Sequence, residues 1–169
     1  MKKMRGLFLV VSVLAFQFGN AQLKGFSLGP YVEAGWPAGN DFKATHRHGL
    51  GAGLTADIKL PGALGLTGSA GYMQFMGKTI TTAEGTTKAP AIKAFPIRAG
   101  LKLRVAPLIY FKLEGGAANF TGGENGSAFI ASPGIGVRLL MFDIQAKYEA
   151  WLKNGSNMSF WGLRAGINF

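Results

Sequence analysis

The chain has 169 residues, with 18 Lys and Arg against 8 Asp and Glu, no Cys, 26 Gly, and 48% hydrophobic residues against only 15% charged ones. This length suits one domain with a self-sufficient core, but the charge falls well below the roughly 25% usual in soluble domains while glycine is about twice its usual roughly 7%, so an ordinary solvated surface is hard to build. Zero Cys excludes disulfides, thiolate metal sites, a cysteine nucleophile and a lipoprotein anchor, and the net charge of +10 raises nucleic acid as a partner until its distribution is read.

Residues 1–21 read as a secretory signal peptide. Lys2, Lys3 and Arg5 form a basic start, Leu7 to Phe18 an apolar run, and Gly19-Asn20-Ala21 a small-residue cleavage site. The run is too short for a transmembrane helix, which needs about 20 apolar residues. Cleavage removes three of the 18 cations, leaving 15 against 8, or +7, on a mature domain of residues 22–169. No later segment has the length of a membrane-spanning helix, so membrane residence would require strands.

From Phe26 onward apolar residues recur at every second position, the period of strands. The first segment, 26–36, sets Phe26, Leu28, Pro30, Val32, Ala34 and Trp36 against Ser27, Gly29, Tyr31, Glu33 and Gly35. A long link over 37–48, containing His46-Arg47-His48, leads to the second segment at 50–60, where Leu50, Ala52, Leu54, Ala56, Ile58 and Leu60 oppose Gly51, Gly53, Thr55, Asp57 and Lys59. After a short turn at 61–63 come a third strand near 64–76, a Thr-rich link over 77–91, and a fourth strand near 92–105. The remaining strands are expected near 108–120, 128–139, 142–151 and 158–169, with long links at 121–127 and 152–157 and short ones around Ala106-Pro107 and Leu140-Met141. Alternating short and long connections describe an up-and-down meander. The fold class is therefore all-β: an eight-stranded antiparallel transmembrane β-barrel, closed so that no edge is left open.

Which face points outward decides between a soluble and a membrane barrel. Ten aromatics of the apolar phase lie toward strand ends: Phe26, Phe111, Phe142 and Phe169 at the short-turn end, and Trp36, Tyr72, Phe95, Phe129, Tyr148 and Trp161 at the long-loop end. These are expected to form interfacial girdles. The opposite phase carries small residues and an ion set of Glu33, Asp57, Arg98, Lys102, Lys112, Glu114, Arg138, Lys147, Glu149 and Arg164, with Lys59, Arg104 and Asp143 in the same phase. Charges in a low-dielectric lumen must pair. Tyr31, Phe75, Tyr110, Phe120, Trp151 and Phe160 share that phase and should fill the interior, leaving negligible steady conductance. Pro30, Pro96 and Pro133 each remove a ladder donor, so bulges or water-satisfied carbonyls are expected beside them.

The segments AFPIRAGLKLRV, YFKLEGGAANF, ASPGIGVRL and FDIQAKYEAW, with WGLRAGINF ending in Phe169, resemble the eight-stranded outer-membrane barrels of the OmpX/OmpA type, and especially the PorT-like "porin family protein" group. The resemblance spans nearly the whole mature chain and rests on physical patterns with little specificity for activity. It implies a Gram-negative outer membrane, periplasmic termini, the barrel-assembly machinery as a partner through the aromatic last strand, and, for some members, a link to secretion or gliding machinery. It supplies no catalytic residues.

Other chemistry is weakly represented. His46 and His48 lack a complete metal shell, Asp41 being the only nearby acid, so no metal or cofactor is expected. Neither His is placed on a strand with Ser69 or Ser132, and a lipid-modifying nucleophile–base pair is not argued. The long loops carry Lys43, Arg47, Lys78, Lys88 and Lys153 against Asp41, Glu84 and Glu124, a mild positive balance suited to lipopolysaccharide phosphates. The remaining cations interleave with acids on an interior face, so nucleic acid is not expected. The function read from the sequence is a structural or surface-interaction role for a small outer-membrane barrel without catalysis. The alternatives are a narrow porin or solute channel, and a secreted soluble barrel binding an apolar ligand.

Overall fold

The structure, a computed structural model, describes residues 25–82, 85–122, 126–153 and 157–169; residues 1–21, expected from the sequence to be a signal peptide, lie outside them. The elements are β1 (Phe26–Ala38), α1 (Asn40–Thr45), β2 (His46–Lys59), β3 (Leu64–Gly77), β4 (Thr79–Thr82), β5 (Gly85–Lys88), β6 (Ile92–Arg104), β7 (Ile109–Gly122), β8 (Ser127–Leu139), β9 (Phe142–Leu152) and β10 (Met158–Ile167). Eight of these close a barrel in the order β1-β10-β9-β8-β7-β6-β3-β2, while β4 and β5 form a separate two-stranded hairpin. With the β4–β5 hairpin set aside as an insertion between β3 and β6, every barrel pairing is between strands that follow one another in the chain, apart from the closure of β1 on β10. Closure leaves no row of unpaired backbone groups in the wall.

Alternation sets the faces. On β1, Phe26, Leu28, Val32 and Trp36 are exposed while Tyr31, Glu33 and Gly35 are buried. Around the wall the largest exposures include Val32 at 62%, Leu113 at 61% and Trp161 at 61%, whereas Arg98 and Glu114 lie at 2% and 1%. The polar distribution is inverted relative to a water-soluble protein.

Two of the long links hold secondary structure of their own: the 77–91 link extends as the β4–β5 hairpin, and the 37–48 link departs from its sequence reading. The 37–48 link is not a plain loop: β1 runs to Ala38, α1 occupies Asn40–Thr45, and β2 begins at His46, so both His46 and His48 stand on a strand. The reason is local and tertiary together. Gly39 takes a φ of 82°, which L side chains avoid, and turns the chain so that α1 drops Phe42 into the buried core. A six-residue helix with one apolar residue carries too little periodicity to be read from sequence.

Of the two arrangements expected beside the prolines, a bulge is found at none of the three. Among the described residues the register shifts lie at His46/Gly49 between β2 and β3 and at Lys93/Ala94 between β6 and β7, not at Pro30, Pro96 or Pro133. Instead, each proline keeps its ladder on one side and interrupts it on the other, without a change of register. Pro30 pairs with Leu54 of β2 but lies just beyond the β10 ladder, which ends at Tyr31↔Gly166. Pro96 pairs with Ala118, and the β3–β6 ladder is open between Ala70↔Ile97 and Met73↔Ala94. Pro133 pairs with Leu113, and the β8–β9 ladder is open between Ala131↔Ala150 and Gly134↔Lys147. A strand can lose one donor locally where the flanking pairs on both sides hold its register.

The high glycine content has a steric cause at the points of closest approach. A Cβ on Gly71 would stand 2.5 Å from the Ala52 carbonyl oxygen and 2.5 Å from the Tyr31 hydroxyl, and one on Gly136 would stand 2.2 Å from the Tyr110 ring. These lumen glycines make room for large inward side chains across the neighbouring strands. Gly71→Ala, which in a roomy strand would stabilise by about 0.5–1 kcal/mol, is expected here to destabilise by about 1–3 kcal/mol through overpacking. A lowered denaturant midpoint for the refolded protein is the readout, and a raised one would contradict this packing.

Candidate functional site

The lumen is filled in three layers. At the long-loop end lies an apolar plug in which Trp151, Phe75 and Phe160 are fully buried. Phe75 meets Phe160 with ring centroids 5.0 Å apart, Trp151 meets Phe160 at 5.5 Å, and Phe42 of α1 caps the group at 5.0 Å from Phe75. All three contacts are edge-on, the arrangement favoured by the ring quadrupole.

Beneath the plug is a buried ionic layer. Arg98 grips Glu149 with both faces of its fork, Nη2 to Oε1 at 2.7 Å and Nε to Oε2 at 2.9 Å. Glu149 also accepts from Lys147 Nζ at 2.6 Å and from the Trp151 indole at 2.6 Å, which ties the ionic layer to the plug. Glu33 takes Lys147 at 2.8 Å and Arg164 at 3.0 Å, with Arg98 at 3.8 Å. Lys112 reaches Glu114 at 3.3 Å, and Ser69 donates to Glu114. β1, β6, β7, β9 and β10 each contribute at least one of these charges, so the layer forms only when the barrel is closed. Such a layer is costly to desolvate and holds because nearly every charge has a close partner.

The third layer sits at the short-turn end and is partly open to solvent. Lys102 bridges Asp57 at 2.9 Å and Asp143 at 3.1 Å, Tyr110 donates its hydroxyl to Asp143, and Arg138 lies 3.6 Å from Asp57. The ten lumen residues singled out in the sequence thus form two groups: Glu33, Arg98, Lys112, Glu114, Lys147, Glu149 and Arg164 in the middle, and Asp57, Lys102 and Arg138 at the mouth. Sequence reasoning treated Trp151, Tyr110 and Ser69 as filler or isolated residues; their polar atoms belong to the network. The only sequence signal for this was their shared inward phase.

On the outer wall, Phe26, Trp36, Phe95, Phe111, Phe129, Phe142, Trp161 and Phe169 are exposed, while Tyr72 and Tyr148 are half-buried. The two tyrosines lie edge-on against neighbours of the same wall, Tyr72 against Phe95 at 5.2 Å and Tyr148 against Trp161 at 5.1 Å. Polar residues of the outward phase, among them Gln74, Lys93, Asn119 and Ser159, gather at the long-loop end of their strands.

Above the barrel the first two long links, 37–48 and 77–91, are joined. Lys78 donates its backbone N–H to the Thr45 carbonyl at 2.8 Å and its ammonium to the Lys43 carbonyl, and His46 Nε2 lies 3.1 Å from the Pro90 carbonyl. His46 Nδ1 lies 2.8 Å from Thr45 Oγ1, so both ring nitrogens have partners within these links. Ser69 faces Glu114 and Arg164 inside the lumen. Among the described residues no group of three or more His, Asp or Glu is arranged to hold a metal ion. No helix among them is long and apolar enough to cross a membrane; a barrel crosses with strands.

A closed eight-stranded antiparallel meander with an apolar exterior and an ionic interior has the fold of transmembrane β-barrels. The outer membrane protein Ail of Yersinia pestis, in a phospholipid bilayer nanodisc, shares it with a TM-score of 0.61 at 17% identity, over 86% of this chain and 100% of that one. Ail crystallised in complex with the heparin analogue sucrose octasulfate matches with a TM-score of 0.52 at 18% identity, over 86% and 97% of the two chains. A de novo designed transmembrane β-barrel matches with a TM-score of 0.55 at 15% identity, over 88% and 98%. No protein-family model matches the chain, and no curated protein matches it.

Proposed function

We propose that this protein is a small integral barrel of a Gram-negative outer membrane, of the PorT-like and OmpX/OmpA-like kind, that serves a structural or surface-interaction role without catalysis. The inverted distribution of polarity carries this reading: exposed Leu, Ile, Val and aromatic side chains encircle a wall whose ions are buried inside. The Ail likeness supports the fold of such a protein. The packed plug and ionic layer argue against a solute channel and against an apolar-ligand lumen, and the expected steady conductance in planar bilayers is negligible; large stable channels would contradict the plugged interior.

The first test combines fractionation with one substitution. The protein is expected in the outer-membrane fraction, with a heat-modifiable shift on gels. Ile97, near the middle of β6 and 56% exposed, faces hydrocarbon in this reading, so Ile97→Arg should cost about 2–4 kcal/mol. Recovery as a soluble monomer without detergent, with Ile97→Arg neutral, would refute it.

Its partners are outer-membrane lipid and lipopolysaccharide, the barrel-assembly machinery during insertion, and a surface or secretion-machinery protein reached through the loops. No role in nucleic-acid binding is proposed. The exposed hairpin of β4 and β5, braced on α1, is the natural contact element: Thr79↔Lys88 and Ile80↔Thr87 pair across it, and all four β5 residues are exposed. Site-specific cross-linking from Thr87 in intact cells should give discrete adducts. If it yields none, the surface-partner role falls and the structural role alone is left.

A further inference from the structure

The mouth at the short-turn end is a cavity of about 410 Å³, within the size range of small-molecule sites. Its charge is unbalanced. Lys59, Lys102, Arg104 and Arg138 line it, and Asp57 is the single acid among its lining residues. That carboxylate is already engaged by Lys102 and Arg138, and the neighbouring Asp143 by Lys102 and Tyr110. Lys59 and Arg104, both exposed and both on the inward phase, take part in none of the ion pairs of the described residues. Two further cations thus stand over a floor whose acids are neutralised. The ionic layer above adds no negative field, since Arg98, Lys112, Lys147 and Arg164 outnumber Glu33, Glu114 and Glu149 by four to three. Low-dielectric walls focus such a potential on the opening.

The rim is apolar. Phe26, Leu108 and Leu140 stand at its edge, exposed by 38%, 46% and 84%. Leu140 does so in the left-handed region at φ 55°, a conformation that costs a branched side chain energy and that a tight turn usually gives to Gly or Asn. A strained, almost fully exposed leucine beside a cationic cup has the arrangement that an amphiphile with a negative head would use.

We propose that this mouth is a binding site for a phosphate-bearing anion, held between Lys59 and Arg104, with Arg138 at its side. A phospholipid headgroup and free phosphate share this chemistry, and the apolar rim distinguishes them. The test uses the mature barrel, residues 22–169, refolded in non-ionic detergent and followed by residue-resolved NMR. It is titrated separately with inorganic phosphate, short-chain phosphatidylglycerol and short-chain phosphatidylcholine, whose phosphate is offset by its choline.

Saturable shifts at Ser27, Lys59, Arg104 and Arg138 with inorganic phosphate would establish the anion site and a headgroup-independent ligand. The same shifts with phosphatidylglycerol, and weaker or absent ones with phosphate and phosphatidylcholine, would establish it as a lipid site that needs the rim. In either case Lys59→Gln/Arg104→Gln should weaken apparent affinity at least tenfold, Lys59→Arg/Arg104→Lys should retain it, and Lys43→Gln/Lys78→Gln should leave it unchanged. Absence of mouth shifts with all three ligands overturns the proposal. So do equal affinities for phosphatidylglycerol and phosphatidylcholine, unsaturable shifts shared by the loop cations, or a Lys59→Gln/Arg104→Gln variant that binds as well as the parent. The readout is independent of which membrane holds the barrel, so it can fail while the cellular reading stands.

Discussion

Replacing Glu149 by Ala is expected to cost the barrel about 3–5 kcal/mol, the range found when one partner of a buried ion pair is removed. Glu149 is fully enclosed and accepts from Arg98, Lys147 and Trp151. Without it the middle layer would hold Arg98, Lys112, Lys147 and Arg164 against Glu33 and Glu114 alone. Arg98 would keep a 3.5 Å hydrogen bond to the Tyr31 hydroxyl and, of charged partners, only its 3.8 Å approach to Glu33, a carboxylate already shared with Lys147 and Arg164. Denaturant unfolding of the refolded protein in vesicles measures the loss. A second substitution separates pairing from packing: Lys147→Met on the Glu149→Gln background should recover part of the stability, with a coupling of about 0.5–3 kcal/mol. Lys88→Ala, in the exposed hairpin, should stay within about 0.5 kcal/mol of the parent, and Arg164→Ala should far exceed it. An effect of Glu149→Ala under 1 kcal/mol would mean that the ionic layer is hydrated and unconstrained.

Trp151→Ala should cost a similar amount, about 3–5 kcal/mol, for a different reason. The indole is fully buried with Phe75, Phe120 and Phe160 around it at centroid distances of 5.5–5.9 Å, and a rigid barrel wall cannot collapse into the space it leaves. Its Nε1–H also satisfies Glu149. Trp151→Phe keeps most of the ring contacts and loses that donor, leaving Glu149 Oε1 with Arg98 Nη2, so it should cost about 1.5–3 kcal/mol, the range for one hydrogen bond to a charged group. If both variants unfold at the parent's midpoint, the plug is not a packed core.

The barrel was legible in the sequence because the signal is geometric. Alternation from Phe26 to Trp36 and from Leu50 to Leu60 can only describe strands, and the alternation of short and long links can only describe a meander. The eight barrel strands lie where the pattern puts them, with β1 and β2 extended to Ala38 and from His46. Inward and outward faces were legible for the same reason: Arg98 and Ile97 differ by one position and so by one face. What lay beyond reach were partners across the lumen. Arg98 and Glu149 are 51 residues apart, and nothing in a strand's own period says which of several inward acids a given cation will meet. The helix α1 was missed because six residues give no period, and the bulge expected as one option at the prolines did not form because a missing donor can also be absorbed by a ladder gap.

The sequence by itself therefore determined the number of barrel strands, the meander, and which residues face the lumen, since these follow from a period of two and from chain connectivity. Only the tertiary structure decided that the lumen divides into an aromatic plug, a buried ionic layer and an open cationic mouth. That division depends on the stagger between neighbouring strands, which sets the height of each side chain along the barrel axis and brings Glu33 beside Arg164 and Trp36 beside Trp161. Height is a property of the closed sheet, and no single strand encodes it.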